Sequence, residues 1–317
     1  MTHEEANAYI SELEKESLEA VAANAKKGIN LEALLTKIYP DQAHFVYELL
    51  QNAEDAEAGR VELKLTAQQL VVTHNGKKEF RKDDVFAITS VGASTKDPND
   101  VNQAGKFGVG FKSVFAYTAT PQIYSGPFAF GIRDLIVPYF LNEAELIPGE
   151  TKFKFPFNKS SKPPNNCRQE IIEWLEAMNE NVLLFLRNIK LIRWSSEIGK
   201  SAELERQEFP NGVVGIHCRY GTAAPQTSTY WLRFTESTPL GTVAVAFKLE
   251  AIGKRPVDPT KPVREHFRVV PTNGKLSVYF PADKETTNLL FHLHGPYAAT
   301  VARDSIPTGN PSRPGEK

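Results

Sequence analysis

The 317-residue chain is poor in cysteine, with Cys167 and Cys218 as its only two. Their spacing fits neither a metal-binding motif nor a disulfide framework, so we expect reduced thiols in an intracellular protein. An excess of charge of one sign is also absent, because 37 basic and 38 acidic residues leave a formal net charge of −1. The overall charge therefore gives no argument for a nucleic-acid partner.

Long apolar runs are missing as well. No stretch reaches the ~20 residues of a membrane-spanning helix. Residues 1–16 are polar and acidic, unlike a signal peptide. We therefore expect a cytoplasmic protein with no membrane partner. The chain is 41% hydrophobic and 24% charged, which is ordinary for a globular protein, and it is long enough for two domains.

The stretch Phe45–Glu57, FVYELLQNAEDAE, predicts a helix with two different faces. Glu48, Asn52 and Asp55 follow at i, i+4 and i+7, so they share one face. An apolar band runs beside them, made of Phe45, Val46, Leu49, Leu50, Ala53 and Ala56. Two carboxylates and an amide in line suggest a site, although the pattern is also typical of an amphipathic helix with solvated polar residues.

A second stretch, Gly105–Phe115, reads GKFGVGFKSVF. Gly105, Gly108 and Gly110 precede a predicted helix that carries Lys112 in its first turns. Glycines let backbone N–H groups approach an anion, and a helix N-terminus adds a partial positive charge. The segment therefore indicates anion binding.

ELLQNAEDA and GKFGVGFKSVF together resemble the N-box and the lid-side glycine box of the GHKL ATPase superfamily. That superfamily includes the ninety-kilodalton heat-shock chaperones, type II topoisomerases, MutL-type mismatch repair proteins, MORC proteins and histidine kinases. The likeness is greatest to sacsin-like proteins of the chaperone branch. It covers about residues 30–195 and implies an α+β fold of the GHKL (Bergerat) type, an α/β sandwich with a mixed, mostly antiparallel sheet under helices.

The pattern of the chain changes after Trp194. We predict a GHKL ATP-binding domain over residues 1–197, which ends with a helix over 166–179 and a strand over 183–194. Residues 198–317 are predicted to form a β-rich, transducer-like second domain with a disordered tail. The alternating runs 203–209, 212–219, 229–235 and 242–250 favour an antiparallel sheet there.

The resemblance implies roles for individual residues. Glu48 is the expected catalytic base that orients and deprotonates the attacking water. Asn52 is the expected magnesium ligand, since this ion prefers oxygen, and Asp55 is expected to contact the base or an ordered water. The implied cofactors are ATP and Mg²⁺. The expected phosphate contacts come from the second stretch: Gly105, Lys106, Phe107, Gly108, Val109, Gly110, Phe111 and Lys112.

His74, Gly76 and Thr151 complete the ATP pocket that the resemblance implies. The superfamily usually has an aspartate, which accepts a hydrogen bond from the adenine amine, where His74 stands here. A carboxylate only accepts, whereas a neutral imidazole offers one donor and one acceptor. The departure puts adenine specificity in question. His-Asn-Gly is also typical of a plain turn, and threonine is common at a strand start.

The polar stretch Ile88–Gly108 is the expected ATP lid, since long irregular loops in compact domains are usually functional. Ser94, Thr95 and Lys96 resemble the turn that starts the chaperone lid, although Lys96 is also typical of a solvated loop lysine. Arg303 is the second expected catalytic residue, a γ-phosphate contact, and is also typical of a surface arginine.

The predicted function is that of an Mg-dependent ATPase in a chaperone-like, sacsin-like protein, with lid closure over the nucleotide. ATP, a protein client or further domains of a longer chain, and a nucleotide-dependent dimer are the expected partners. Two alternatives stay open. One is a GHKL ATPase that acts with nucleic acid, as MutL and MORC proteins do, including a role in bacterial defence. The other is a nucleotide-gated binding module with little turnover.

Overall fold

The structure, a computed structural model, describes residues 1–29, 45–90, 110–239, 241–253, 258, 261–278 and 280–297. The α-helices of these residues are α1 (His3–Lys26), α2 (Phe45–Asp55), α3 (Lys82–Thr89), α4 (Pro164–Ala177), α5 (Asn181–Leu184) and α6 (Val263–His266). Two 3-10 helices cover Gly110–Ala116 and Glu143–Glu145. No helix in the described part of the chain is long and apolar enough to cross a membrane.

The strands are β1 (Arg60–Leu65), β2 (Gln69–His74), β3 (Gln122–Ser125), β4 (Phe128–Arg133), β5 (Val137–Phe140), β6 (Thr151–Pro156), β7 (Leu191–Ser196), β8 (Ser201–Glu208), β9 (Val213–Tyr220), β10 (Thr227–Thr238), β11 (Gly241–Ala251), β12 (Phe267–Val270), β13 (Lys275–Val278), β14 (Phe280–Thr286) and β15 (His292–His294). The alternation of apolar residues in the sequence predicts most of them, because side chains of a strand point to opposite faces in turn. In β1, for example, Val61, Leu63 and Leu65 are buried while Lys64 is exposed.

These strands form one hydrogen-bonded sheet in the order β14-β13-β15-β11-β10-β9-β8-β7-β1-β2-β6-β3-β4-β5, with β12 paired to β11. Neighbours are antiparallel except for β1 with β7 and β13 with β15, which are parallel. The mixed, mostly antiparallel sheet predicted from the sequence is therefore present. The pairing of β7 with β8 crosses the predicted boundary between residues 197 and 198, and the division into two domains stays a prediction.

Helix α1 begins at a capping box. The Thr2 hydroxyl accepts from the backbone N–H of Glu5 at 3.2 Å, and the Glu5 carboxylate accepts from the N–H of Thr2 at 2.8 Å. Both bonds satisfy N–H groups that a helix start leaves without partners. The helix buries Ala6, Ile10 and Leu13, whose spacing places them on one face.

Aromatic side chains pack helix α2 and the 3-10 helix Gly110–Ala116 against strand β6. The ring of Phe45 lies 6.3 Å from that of Phe155, and the ring of Phe111 lies 6.0 Å from that of Phe153. Phe153 and Phe155 alternate along β6 with half-buried residues. Both helices therefore cover the same face of the sheet, which is where the two sequence motifs meet.

The strand predicted over residues 183–194 is wrong in its first part. Residues 181–184 form helix α5, and strand β7 begins only at Leu191. The connection between them is fixed by side chains from distant parts of the chain, described below, which local alternation does not reveal. The sequence also predicts a short helix over residues 31–38, which lie outside the described part of the chain.

Candidate functional site

The candidate site begins where helix α2 meets the 3-10 helix Gly110–Ala116. The Glu48 carboxylate lies against the backbone of Gly110. A Cβ built on this glycine would fall within 3.0 Å of both Oε2 and Cδ of Glu48, closer than real Cβ atoms come to another heavy atom. Only glycine fits position 110 while Glu48 keeps this place. The contact brings together two motifs that are far apart in the sequence.

Asn52 and Asp55 continue the face of α2 that carries Glu48. Both are half-buried, as expected for residues at the edge of the apolar band. The backbone carbonyl of Asp55 accepts a hydrogen bond from the Lys78 ammonium at 3.1 Å. The helical spacing predicted from the sequence therefore holds, and carboxylate and amide oxygens share one side of the helix.

Gln51 is a buried polar residue that the sequence pattern does not single out. Its side chain is 1% exposed, and neither amide atom has a hydrogen-bond partner among the described residues. A buried polar group without a partner is unfavourable by about 1–3 kcal/mol. Such groups are usually bound by water or a ligand. The sequence feature that could have identified Gln51 is its position between Glu48 and Asn52 in the motif.

Three buried polar side chains form a row across the sheet. The register places His74 of β2 opposite Thr151 of β6, and Thr151 opposite Ser125 of β3. Their exposed fractions are 4%, 3% and 0%. The hydroxyls of Thr151 and Ser125 share a hydrogen bond of 2.6 Å, and Ser125 Oγ accepts from the backbone N–H of Phe80 at 3.1 Å. His74 and Thr151, both predicted for the pocket, are therefore neighbours, and Ser125 joins them.

The imidazole of His74 is held by the turn that follows it. Its Nδ1 accepts a hydrogen bond from the backbone N–H of Gly76 at 3.1 Å. Burial lowers the pKa of His74 from 6.5 to about 4, so the ring is neutral at pH 7. A Cβ on Gly76 would lie 2.8 Å from Ala56 Cβ and 2.9 Å from the Ala56 carbonyl oxygen. The turn is therefore packed tightly under the end of α2, which only glycine permits.

Asn75, between these two residues, has a different role. Its side-chain oxygen accepts from the backbone N–H groups of Gly59 and Arg60 at 3.0 and 2.8 Å. The His-Asn-Gly sequence thus joins the end of β2 to the start of β1, and its asparagine serves the backbone. The histidine alone of the two side chains is buried.

The ammonium of Lys112 is bound within the protein. It donates to the backbone carbonyls of Ile88 at 2.7 Å and Leu135 at 2.5 Å. Its side chain is 2% exposed, and burial lowers its pKa from 10.5 to about 7. These bonds attach the 3-10 helix to the end of α3 and to the turn before β5. The predicted phosphate contact of Lys112 stays a prediction, and it requires at least one of these bonds to open.

A second glutamate of helix α2, Glu54, is 2% exposed. Its carboxylate accepts from the backbone N–H groups of Arg187, Asn188 and Ile189 at 2.7, 2.8 and 2.9 Å. From the other side, Arg206 donates to the carbonyls of Leu183 and Arg187 at 3.2 and 3.0 Å. Burial lowers the pKa of Arg206 to about 10. This pair explains why the chain between α5 and β7 is not a strand.

The remaining predicted site residues lie outside the described part of the chain: Ser94, Thr95, Lys96, Gly105, Lys106, Phe107, Gly108, Val109 and Arg303. Their roles stay predictions. Within the described ranges, no group of three or more His, Cys, Asp or Glu residues could hold a metal ion.

A family model, described as the Sacsin domain, matches residues 29–169. Protein NO VEIN of Arabidopsis thaliana is 36% identical over 111 residues, which cover 34% of this chain and 4% of that protein. Sacsin of Homo sapiens is 30% identical over 129 residues, which cover 35% of this chain and 3% of that protein. The matched segment is thus a very small part of either relative.

Among solved structures, one titled "Crystal Structure of N terminal domain of a DNA repair protein" covers 83% of this chain and 85% of that chain, with a TM-score of 0.43 and 11% sequence identity. The segment matched by the family model includes both α2 and Gly110 of the candidate site. The match of residues 29–169 to the Sacsin domain model, and the similarity to sacsin and Protein NO VEIN, agree with the sacsin-like resemblance of the motifs.

Proposed function

We propose that the region of this chain matched by the Sacsin domain model binds ATP and hydrolyses it in a GHKL-type site. The observation that carries the proposal is the contact of the Glu48 carboxylate with the backbone of Gly110. A glycine-rich segment suits phosphate binding because its backbone N–H groups can approach an anion. A glutamate held beside that segment is near enough to act on a water molecule at the terminal phosphate.

The arrangement of secondary structure supports the same proposal. Helix α2 and the 3-10 helix Gly110–Ala116 cover one face of β6, and the row of His74, Thr151 and Ser125 lies on that face. This buried polar row interrupts an otherwise apolar layer. A planar base with polar edges suits such a floor, while the phosphates extend toward Glu48 and Gly110.

The residues on α2 fit a magnesium ion by their chemistry. Magnesium takes oxygen ligands and is usually held by one or two protein groups together with the substrate phosphates. Asn52 would supply its side-chain oxygen, and the nearby Gln51 amide has no partner among the described residues. When bound, the ion would neutralise charge on the phosphates.

In the proposed reaction Glu48 accepts a proton from a water molecule. The water oxygen forms a bond to the γ-phosphorus, and the bond from that phosphorus to the β,γ-bridging oxygen breaks. The products are ADP and inorganic phosphate. Phosphoryl transfer depends mainly on positioning and charge stabilisation, so one carboxylate and a donor-rich backbone suffice.

We assign the phosphate contacts to backbone N–H groups of the glycine-rich segment, of which Gly110 is described. Lys112 is assigned to support of the 3-10 helix, because its ammonium already binds the carbonyls of Ile88 and Leu135. The surrounding protein is proposed to be chaperone-like and cytoplasmic, with a lid that closes over ATP and a protein client as partner. This finer assignment rests on the sacsin-like resemblance.

The test measures nucleotide binding and phosphate release with Mg·ATP for the whole chain and for Glu48→Gln. The variant should bind ATP with unchanged affinity and release phosphate ~10²–10⁴-fold more slowly, the usual contribution of a general base. Glu19→Gln is the matched control, because Glu19 is an exposed glutamate of helix α1, and its release rate should equal the wild type.

Binding of ATP without release by the wild type would replace the ATPase by a nucleotide-gated binding module. Absence of any nucleotide binding by the folded chain would overturn the proposal. Equal release rates for the wild type and Glu48→Gln would remove Glu48 from the role of base.

A further inference from the structure

The hydrogen bond between Gly76 and His74 fixes which nitrogen of the imidazole carries a proton. Nδ1 accepts from the Gly76 N–H at 3.1 Å, so Nδ1 presents a lone pair and no hydrogen. The ring is then the neutral tautomer with its hydrogen on Nε2. The atom left for a ligand is a hydrogen-bond donor.

The turn is built so that this tautomer persists. Gly76 is confined by Ala56, whose Cβ and carbonyl oxygen leave no space for a side chain at position 76. The backbone N–H therefore stays directed at Nδ1. The low pKa of the buried ring, about 4, agrees with this assignment, because a protonated imidazole has no acceptor for the Gly76 N–H.

The neighbours of His74 in the polar row do not supply a charged hydrogen-bond acceptor. Thr151 and Ser125 are hydroxyl residues that already share a hydrogen bond of 2.6 Å. In the row formed by His74, Thr151 and Ser125 there is no carboxylate. A base that reaches this floor meets an N–H donor and hydroxyl groups.

We propose that His74 Nε2–H donates a hydrogen bond to an acceptor atom on the edge of the bound base. The site does not recognise the exocyclic amine of adenine. The inference rests on the proposed function, because it assumes that a nucleotide occupies the site. The ligand class is a purine nucleoside triphosphate that presents a ring nitrogen acceptor at N1. A carboxylate in the same place accepts hydrogen bonds only and selects the amine instead.

The test compares three nucleotides on the whole chain by equilibrium binding with Mg²⁺. Purine riboside triphosphate lacks the amine and keeps N1, whereas 1-deaza-ATP keeps the amine and lacks N1. Purine riboside triphosphate should bind within about threefold of ATP. 1-Deaza-ATP should bind about tenfold more weakly, because an unpaired buried N–H forfeits a hydrogen bond.

The variant His74→Asp should prefer nucleotides that carry the amine, and bind ATP about tenfold more tightly than purine riboside triphosphate. His217→Asp is the matched control, since His217 lies on β9 and bonds to Ser228. The control should keep the wild-type order. The wild-type comparison by itself is decisive if His74→Asp fails to fold.

Two outcomes overturn the inference and leave the proposed function standing. One is binding of ATP with a loss of tenfold or more for purine riboside triphosphate. The other is equal binding of ATP and 1-deaza-ATP. Absence of binding for all three nucleotides overturns the proposed function itself, and with it the inference.

Discussion

Helix α2 carries two glutamates that have different surroundings. Glu54 points to the connection before β7 and accepts three backbone hydrogen bonds from residues 187–189. Glu48, on the other face, lies against the backbone of Gly110, with the amides of Gln51 and Asn52 nearby on the helix. The Glu54 carboxylate therefore stabilises the fold, whereas the Glu48 carboxylate lies where the two sequence motifs meet.

The difference shows how burial of a polar group separates structure from function. A buried carboxylate whose oxygens accept several backbone N–H groups stabilises the fold. A buried amide without a partner, such as Gln51, lowers stability unless something else binds it. Natural proteins keep such groups mostly where a ligand or water supplies the missing bonds.

The largest effect on stability is expected for Glu54→Gln. An amide NH₂ cannot accept from backbone N–H groups, and a hydrogen bond to a charged group contributes about 1.5–3 kcal/mol. The free energy of unfolding in urea should fall by about 3 kcal/mol, while Glu48→Gln should change it by less than about 1 kcal/mol. Equal losses in the free energy of unfolding of the two variants would contradict the different roles assigned to Glu54 and Glu48.

Gly110→Ala tests the contact at the candidate site. The added methyl group meets the Glu48 carboxylate, so one of the two must move. Overpacking of this kind lowers stability by about 1–3 kcal/mol, and displacement of Glu48 should slow phosphate release at least tenfold. Gly59→Ala is the control, because a Cβ there meets nothing nearer than 4.0 Å. An unchanged release rate in Gly110→Ala would separate the contact from catalysis.

Acid should destabilise the protein partly through His74. The pKa of this residue is lowered from 6.5 in the unfolded chain to about 4 in the fold. Its contribution to stability is fully present above pH 6.5 and is lost as pH falls toward 4, because only the unfolded chain takes up the proton. For one such group, the free energy of unfolding changes by up to about 1.4 kcal/mol per pH unit.

The measurement is urea unfolding at several pH values for the wild type and His74→Gln. The variant should show a smaller dependence on pH between 6.5 and 4. His292 and His294, whose pKa values burial also lowers to about 4, remain in both proteins, so the difference reports His74. Parallel curves for the two proteins would contradict the burial of a neutral imidazole at this position.

The smallest effect on stability is expected for Gln51→Leu. Removal of a buried amide without partners should leave the free energy of unfolding unchanged or raise it by up to about 1 kcal/mol. Nucleotide affinity should fall about tenfold if the amide binds the ligand. Gln169→Leu, at an exposed position of α4, is the control for both measurements. A clear loss of stability would assign Gln51 to the fold, together with Glu54.

Much of the fold follows from local patterns in the sequence. The sequence predicts strands over residues 60–65, 69–73, 122–125 and 128–133, because each run alternates or is apolar between clear turn residues. Strands β1 to β4 match these ranges within one residue. The start of β7 does not follow. Residues 183–189 are apolar enough for a strand, but Glu54 and Arg206 bind their backbone groups in another conformation.

In the candidate site, too, some features follow from the sequence and others depend on the tertiary structure. Helical spacing alone predicts that Glu48, Asn52 and Asp55 share a face. It does not predict that Ser125 completes a row with His74 and Thr151, because that depends on the register of three strands. Nor does it predict that the Lys112 ammonium binds two carbonyls of the protein.

The sequence by itself determined the match to the Sacsin domain model and the polar face of α2, since these are properties of residues close together in the chain. The need for glycine at position 110 depends on Glu48, which the fold brings near. The tertiary structure decided which glutamate is structural, which nitrogen of His74 carries the proton and where Lys112 is bound. Each of these depends on backbone N–H and carbonyl groups that other segments bring near, and side-chain chemistry in a protein interior is set by those neighbours.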